Sequence, residues 1–356
     1  MKLLHFLISK VFNVANYIFP KFSRFIAFCG YPDYDDTLKG MLPYLPSDAI
    51  ILVSQVKKIP SWVPDSFKIV KKNTLKGILY ILLSKKIYYT HGLFYFFKLL
   101  PEKRQLVINL WHGMPLKNIG FLDGKKDVPK AHYLLSTSQC FQKIMADAFG
   151  MELERVKITG LPRNDLLTKK GFKHSELESL VSKYSKFHVW LPTYRNSGIG
   201  DIRVDGSSTS VFGIDNFCPI KLNDLLIKKN ELVILKPHPM AVIDKALPEL
   251  SNILFINEDW LCNSSLTLYE LLSLSDSLWT DYSSVAVDYL LLKRPIILIM
   301  SDFQSYKSTR GFTSVAEDIP AVKVYTELEL LKAITQIQPY QIKTTKFHEV
   351  IKYQCL

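Results

Sequence analysis

Short apolar runs alternate with segments of helical periodicity along most of the chain. In the first half, continuous aliphatic and aromatic residues predict strands over 49–53, 86–90 and 105–110, and a 3.6-residue period predicts a helix over 75–83. Strands that alternate with helices favour a parallel sheet, because the chain must cross back between successive parallel strands.

The second half repeats this pattern after a polar stretch rich in Lys and Ser over 169–186, which we interpret as a link between two domains. Apolar strands are predicted from 189, over 232–235, 276–280 and 295–299, with a short helix over 268–274. A glycine- and serine-containing stretch over 196–217 predicts a mobile loop.

A chain of 356 residues suits two domains rather than one core. The fold class predicted is α/β with two Rossmann-like domains. The boundaries we predict are an amphipathic segment over 1–30, a first domain over 31–170, a second domain over 171–335 and a helical tail over 336–356.

The amino-terminal segment mixes aromatic and aliphatic residues with Lys2, Lys10, Lys21 and Arg24. Its longest uncharged run, over 11–20, is shorter than the ~20 apolar residues that a membrane-spanning helix needs. Lys10 and Asn13 interrupt the apolar region, which also disfavours a signal peptide. Two interpretations stay open: a helix lying in the membrane interface on anionic headgroups, and an ordinary amphipathic helix packed on the domain.

The charge balance of 45 Lys and Arg against 33 Asp and Glu gives a net charge of +12, which favours anionic partners. Nucleic acid is disfavoured because many of the cations stand singly at predicted strand ends. The five cysteines are widely spaced and form no CxxC pair, which fits a reducing cytosol and argues against a structural zinc site. No phosphate loop, HExxH motif or paired metal-ligand cluster is found, so no metal or cofactor is predicted.

Polar side chains follow two predicted strands of the first domain. His112 comes directly after the strand over 106–110, in a loop with Gly and Pro, where it would be either a catalytic group or a hydrogen-bonding loop residue. Lys117 follows in the same loop, where it would either contact a phosphate or be solvated. Arg163 and Asp165 follow a later strand. We expect the loop with Arg163 and Asp165 at the same sheet edge as the hydroxyl-rich end of the strand over 133–138.

Cations also follow the strands of the second domain. Arg195 lies just past the strand from 189, where a guanidinium would grip phosphate oxygens, and Arg310 stands beside a glycine. Lys236 and His238 follow the strand over 232–235 and alternate with prolines that restrict the backbone.

Ser283 and Ser284 stand where a helix is predicted to begin after the strand over 276–280. The unpaired N–H groups and the dipole of a helix start attract an anion such as phosphate, although a serine pair also serves as an ordinary helix cap. Asp281 would either orient a neighbour or cap the turn.

Six motifs together resemble the CDP-glycerol glycerophosphotransferase family, the teichoic acid and capsule polyol-phosphate transferases. They stand in the family's order across residues 105–312: WHGMPLK at 111–117, TGLPRND at 159–165, PTYR at 192–195, KPHP at 236–239, TDYSSVAVDYLLLKRPII at 280–297 and RGF at 310–312.

The resemblance implies a GT-B architecture with parallel sheets facing an interdomain cleft, the acceptor on the first domain and the donor on the second. It implies transfer of glycerol phosphate or ribitol phosphate from CDP-glycerol or CDP-ribitol to a hydroxyl of a lipid-linked or growing surface polymer, with release of CMP. It also implies a peripheral protein on the cytoplasmic face of the cell membrane. A GT-B glycosyltransferase that uses a nucleotide sugar is the alternative.

By the same resemblance, His112 is the candidate base and His238 a donor to the phosphates of the CDP-polyol. The remaining candidates for phosphate contact are Ser283, Ser284, Arg195, Lys236 and Arg310. Met114 stands where many relatives carry threonine, and Thr313 stands where an aromatic residue is common. These two departures would bear on recognition of the acceptor.

Overall fold

The computed structural model describes residues 2–55, 58–94, 99–193, 212–237 and 249–336. The chain divides into two compact units, of which the first holds Met1–His112 and Ile119–Leu166 and the second holds Gly113–Asn118 and Leu167–Lys352. Each unit is built on one parallel sheet. The predicted two-sheet α/β fold is therefore confirmed.

The first unit has a seven-stranded sheet in the order β3-β2-β1-β4-β5-β6-β7. Helices separate most of its strands, as expected for right-handed crossovers between parallel neighbours. Its elements are α1 (Lys2–Ile18), β1 (Phe22–Cys29), α2 (Asp36–Met41), β2 (Ile50–Val53), β3 (Lys68–Lys71), α3 (Leu75–Leu83), β4 (Ser84–Tyr89), β5 (Leu106–Asn109), β6 (Tyr133–Ser136), α4 (Gln139–Phe149) and β7 (Val156–Ile158), followed by α5 (Asn164–Thr168) where the two units meet in sequence.

The prediction of one amphipathic segment over 1–30 was wrong in its second part. Residues Phe22–Cys29 form β1, which lies between β2 and β4 inside the sheet. Pro20 prevents the helix from continuing, and the chain then enters the core with Ala27 and Phe28 fully buried. The first domain therefore begins well before residue 31.

Helix α1 is fixed to the first unit by a buried polar network. Asn16 is 1% exposed and donates from Nδ2 to Oε1 of Gln105 at 3.1 Å. The ammonium of Lys21 donates to the carbonyl oxygens of Asn16 at 2.6 Å and Leu82 at 2.5 Å. Burial lowers the pKa of Lys21 to about 8. One face of α1 thus packs on the domain, as the second of the two interpretations of this segment expects.

The opposite face of α1 stays apolar and open to solvent. Its exposed large side chains are Phe6, Leu7, Ile8, Val11, Val14, Tyr17 and Ile18. Among the residues with described positions, no helix is both long and apolar enough to cross a bilayer.

The second unit has a six-stranded sheet in the order β10-β9-β8-β11-β12-β13. Its core is rich in aromatic residues, including Trp190 and Trp279 from adjacent strands. Its elements are α6 (Ser175–Val181), β8 (Lys186–Leu191), α7 (Pro219–Lys229), β9 (Glu231–Leu235), β10 (Ile253–Phe255), α8 (Glu258–Asn263), α9 (Leu268–Leu274), β11 (Ser277–Thr280), α10 (Val285–Tyr289), β12 (Ile296–Ile299), α11 (Phe303–Arg310), β13 (Val322–Val324) and α12 (Glu327–Gln336).

The polar stretch predicted as a link contains helix α6 and belongs to the second unit. His174 caps this helix by accepting from the N–H of Leu177 at 3.2 Å, and its other ring nitrogen lies 2.8 Å from the carbonyl oxygen of Ser264. These contacts attach the stretch to the body of the unit. The predicted loop lies largely outside the described residues, as does the tail after 336.

Candidate active site

The backbone at the carboxyl end of β5 is strained where it presents His112. Trp111 has a φ of 58°, a left-handed conformation that few non-glycine residues adopt, and Gly113 follows at 124°. The N–H of Trp111 donates to Oδ1 of Asn109 at 2.9 Å, which holds the turn. Strain of this kind clusters at functional sites.

The hydrogen bond made by His112 defines its tautomer. Nδ1 lies 3.2 Å from the carbonyl oxygen of Thr90, at the end of the neighbouring strand β4. A carbonyl oxygen only accepts, so Nδ1 carries a proton, and in the neutral imidazole the lone pair is then on Nε2. A neutral imidazole in this tautomer is equipped to take a proton from a hydroxyl.

A second histidine, His91, stacks on His112. It is not among the candidates selected from the sequence. The rings of His91 and His112 have centroids 3.5 Å apart and an angle of 4° between their planes. Trp111 lies against His112 at 3.9 Å. His91 comes directly after the strand predicted over 86–90, so the strand-end rule that selected His112 would also have found it.

The side chains of Asp35 and Arg163 lie close enough for their charges to interact. Asp35 caps α2 by accepting from the N–H of Leu38 at 2.8 Å, and burial raises its pKa to about 7, a shift that the positive charge of Arg163 opposes. A Cβ on Gly40 would lie 2.1 Å from the carbonyl oxygen of Pro162, so only glycine lets the loop with Arg163 approach α2 this closely.

Asp165, from the same motif, is partly buried one residue into α5. Burial raises the pKa of its carboxyl to about 6. The loop of Arg163 reaches the carboxyl ends of the strands near His91, whose pKa is lowered by burial and further by the charge of Arg163. Asp165 lies in the helix that follows this loop.

In the second unit, Asp281 holds two strand-end segments together. It is 2% exposed, and its Oδ2 accepts from both the N–H and the hydroxyl of Thr193 at 3.0 Å. Its Oδ1 accepts from the N–H of Tyr282 at 2.7 Å. Both alternatives left by the sequence apply, since one carboxylate orients the neighbouring loop and also caps its own turn.

Ser283 and Ser284 precede α10, which spans only Val285–Tyr289. Ser284 occupies the cap position but makes no side-chain capping bond, and the Ser283 hydroxyl accepts from the N–H of Val285 at a long 3.4 Å. The pair therefore does little capping, unlike an ordinary serine cap. Because α10 is so short, its dipole attracts an anion less strongly than the sequence predicts.

Lys236 lies at the carboxyl end of β9, as predicted. Its side chain is 6% exposed, and its ammonium lies 2.6 Å from Oε1 of Glu258, whose side chain is 47% exposed. The buried cation is thus compensated by an accessible carboxylate. Arg195 and His238 lie outside the described residues.

A model of the CDP-Glycerol:Poly(glycerophosphate) glycerophosphotransferase family matches residues 17–354. The chain belongs to this family. Among characterised relatives, the teichoic acid ribitol-phosphate polymerase TarK of Staphylococcus aureus is 26% identical over 71% of this chain and 50% of its own length. The teichoic acid glycerol-phosphate primase of Bacillus subtilis is 23% identical over 80% of this chain and 75% of its own. The chain spans about half the length of the first of these relatives.

Solved structures show the same fold. The wall teichoic acid polymerase TagF superposes with a TM-score of 0.69 at 23% identity, covering 98% of this chain and 90% of that one. A UDP-GlcNAc 2-epimerase from Neisseria meningitidis superposes with a TM-score of 0.52 at 12% identity, covering 92% and 93%. The resemblance found in the sequence and the GT-B type of fold are therefore confirmed.

Met114 and Thr313, the two residues that depart from the family pattern, both lie in the packed interior. Met114 is fully buried, and the hydroxyl of Thr313 lies within hydrogen-bonding distance of the carbonyl oxygens of Pro115 and Leu116, at 3.0 and 3.1 Å. Thr313 itself is 7% exposed. Both side chains pack inside the second unit, and their effect on acceptor recognition stays a prediction.

Lys117 and Arg310 lie in neighbouring segments of the second unit. The ammonium of Lys117 donates to the hydroxyl of Tyr306 at 3.2 Å, and its backbone pairs with that of Phe312. Arg310 is the last residue of α11 and is partly buried. The segment 113–118 is thus joined to the loop after α11.

Proposed function

We propose that this chain transfers a polyol phosphate from CDP-glycerol or CDP-ribitol to a hydroxyl of a lipid-linked or growing cell-surface polymer, and releases CMP. The observation that carries the proposal is the place of His112 at the end of β5, where its Nδ1 contacts the Thr90 carbonyl and Nε2 is the ring nitrogen that would act as the base. Family membership supports it, since relatives are named as polymerases and primases of polyol-phosphate teichoic acids.

In the proposed reaction, the acceptor oxygen attacks the phosphorus that bears the polyol while the bond from that phosphorus to the CMP oxygen breaks. His112 Nε2 takes the proton of the attacking hydroxyl. The first unit holds the acceptor, consistent with the place of His112 at the end of β5.

The second unit would hold the donor. Its cations and donors would neutralise the charge that develops on the leaving CMP. The groups we assign to this task are Lys236, Arg310, Ser283 and Ser284, together with Arg195 and His238, and Asp281 supports them by fixing the backbone of Thr193.

The assay that tests this function measures CMP release by the purified chain, offered CDP-glycerol, CDP-ribitol and a panel of nucleotide sugars, each with membrane-extracted acceptors. We expect release from one CDP-polyol. Product formation only from a nucleotide sugar would replace the proposed reaction by glycosyl transfer on the same fold.

We also propose that α1 rests on the cytoplasmic face of the membrane through its exposed apolar side. Val11 and Tyr17 are each 70% exposed and Ile18 is 67% exposed, on a helix that is otherwise fixed to the domain. Lys10 lies 4.6 Å over the ring of Phe6 and Arg104 lies 5.3 Å over that of Tyr17. Cations that flank exposed rings suit a helix lying among anionic headgroups.

Replacing Val11 and Val14 together by glutamate is expected to weaken binding to anionic vesicles at least ~10-fold, because apolar insertion is lost and like charge is added. Co-sedimentation with vesicles measures it. The matched control is Ile220→Glu with Ile227→Glu, since both residues are 51% exposed on α7 of the second unit. Equal loss in both double variants would rule out α1 as the membrane contact.

A further inference from the structure

Thr90 holds two imidazole rings through two different oxygen atoms. Its carbonyl oxygen accepts from Nδ1 of His112, and its hydroxyl oxygen lies 2.9 Å from Nδ1 of His91. The two rings stack with centroids 3.5 Å apart and nearly parallel planes. Because both rings turn Nδ1 towards the same residue, both Nε2 atoms lie away from it.

The proton count at the Thr90 hydroxyl defines the tautomer of His91. The oxygen accepts from the N–H of Tyr31 at 3.2 Å. Its one proton favours the ionised form of Asp35, whose pKa burial raises to about 7, so this bond is made to a carboxylate above that pH. While Asp35 is ionised, no proton is left for His91, so Nδ1 of His91 is the donor. Nε2 of His91 then carries a lone pair.

The surroundings of His91 keep it neutral. Desolvation by neighbouring atoms lowers its pKa well below the ordinary value, and the neighbouring imidazole of His112 and the charges of Arg163 and Lys72 further disfavour a proton there. The residue nevertheless has an exposed surface. Its hydrogen bond within the described ranges is made by Nδ1 to Thr90, so an incoming ligand can reach Nε2.

We propose that Nε2 of His91 accepts a hydrogen bond from a second hydroxyl of the acceptor, on the carbon next to the one whose oxygen attacks. The rings of His91 and His112 are 3.5 Å apart, a separation that two hydroxyls on neighbouring carbons can span. The site would thus select acceptors that end in a vicinal diol, as glycerol and ribitol ends do. This inference rests on the proposed function, since it takes His112 as the base.

The test compares two soluble acceptors, one ending in glycerol phosphate and one ending in propane-1,3-diol phosphate, which lacks the middle hydroxyl. We expect kcat/KM to be ~10-fold higher for the first, the usual value of one hydrogen bond between uncharged groups. His91→Phe keeps the stacked ring but lacks the nitrogen, so this ratio should fall to about 1 while KM for the CDP-polyol stays unchanged.

Tyr31→Phe is the matched control, because Tyr31 meets His91 edge-on at 5.5 Å and the change touches neither imidazole nitrogen. Its acceptor ratio should equal that of the unchanged protein. A His91→Phe variant that keeps the full ratio overturns the inference and leaves the proposed function standing. Absence of CMP release from every CDP-polyol by the unchanged protein overturns the proposed function instead.

Nitrogen NMR of the histidine rings decides the inference without turnover. At a pH above about 8, where a carboxyl with a pKa of about 7 is ionised, both His91 and His112 should carry the proton on Nδ1. Glycerol should shift both Nε2 signals, and propane-1,3-diol only one. In Asp35→Asn the new amide donates to Thr90, so the hydroxyl turns to His91 and moves its proton to Nε2. A proton on Nε2 of His91 in the unchanged protein would refute the inference.

Discussion

Replacing His112 with asparagine is expected to lower kcat for the proposed transfer by ~10²- to 10⁴-fold, the usual contribution of a general base. The asparagine amide can still donate to the Thr90 carbonyl, so the turn after β5 should keep its conformation. What is lost is Nε2, the nitrogen that we assign to take the proton of the acceptor hydroxyl. CMP release under saturating CDP-polyol measures the effect.

The control for this change is His132→Asn. His132 lies in the same unit directly before β6, so it stands at the amino ends of the strands, whereas His112 stands at their carboxyl ends. Its Nδ1 accepts from the N–H of Val107 at 3.0 Å. This variant should turn over within about twofold of the unchanged protein. If His112→Asn kept most of its kcat, His112 would not be the base.

Replacing Asp281 with alanine is expected to destabilise the second unit by about 3 kcal/mol, since three donors lose a buried charged acceptor. Those donors are the N–H and hydroxyl of Thr193 and the N–H of Tyr282. Because Thr193 leads into the motif with Arg195, we also expect KM for the CDP-polyol to rise. Urea unfolding followed by the fluorescence of Trp190 and Trp279, both buried in this unit, measures the loss of stability.

The matched control is Asp48→Ala in the first unit. Asp48 pairs with Lys68 at 3.1 Å, and the side chains of the two residues are 50% and 42% exposed. Exposed pairs of this kind contribute roughly 0–1 kcal/mol, so the unfolding midpoint should hardly move. Should Asp281→Ala unfold at the same urea concentration as the unchanged protein, its carboxylate would not be what fixes the Thr193 loop.

Several elements could be predicted residue by residue because their apolar runs are short and bounded by polar residues. The helix predicted over 75–83 is α3, and the strands predicted around 106–110 and 232–235 are β5 and β9. Strand β9 is buried on both faces and so reads as a continuous apolar run, and Thr74 marks the start of α3 by capping it. The corresponding strand-end residues His112 and Lys236 were found for the same reason.

Other elements could not be found in this way because local preference is not what decides them. Strand β1 begins with exposed Phe22 and Arg24, which resemble a continuing amphipathic helix, and becomes buried only from Ala27. Its strand state comes from pairing with β2 and β4 on either side. The polar surface of α6 looked like a linker, because only Leu177 of that helix is buried.

The amino-acid sequence by itself determined the parallel two-sheet fold, the family and the placement of His112 at a strand end, because each depends on local patterns of apolar runs, glycines and prolines. Only the tertiary structure decided that Asp35, Thr90, His91 and His112 form one hydrogen-bonded and stacked group. These residues follow strands β1, β4 and β5, which are neighbours in the sheet although long stretches of sequence separate them. The chain order does not state which strands will pair, so the chemistry at the sheet edge is readable only once they have.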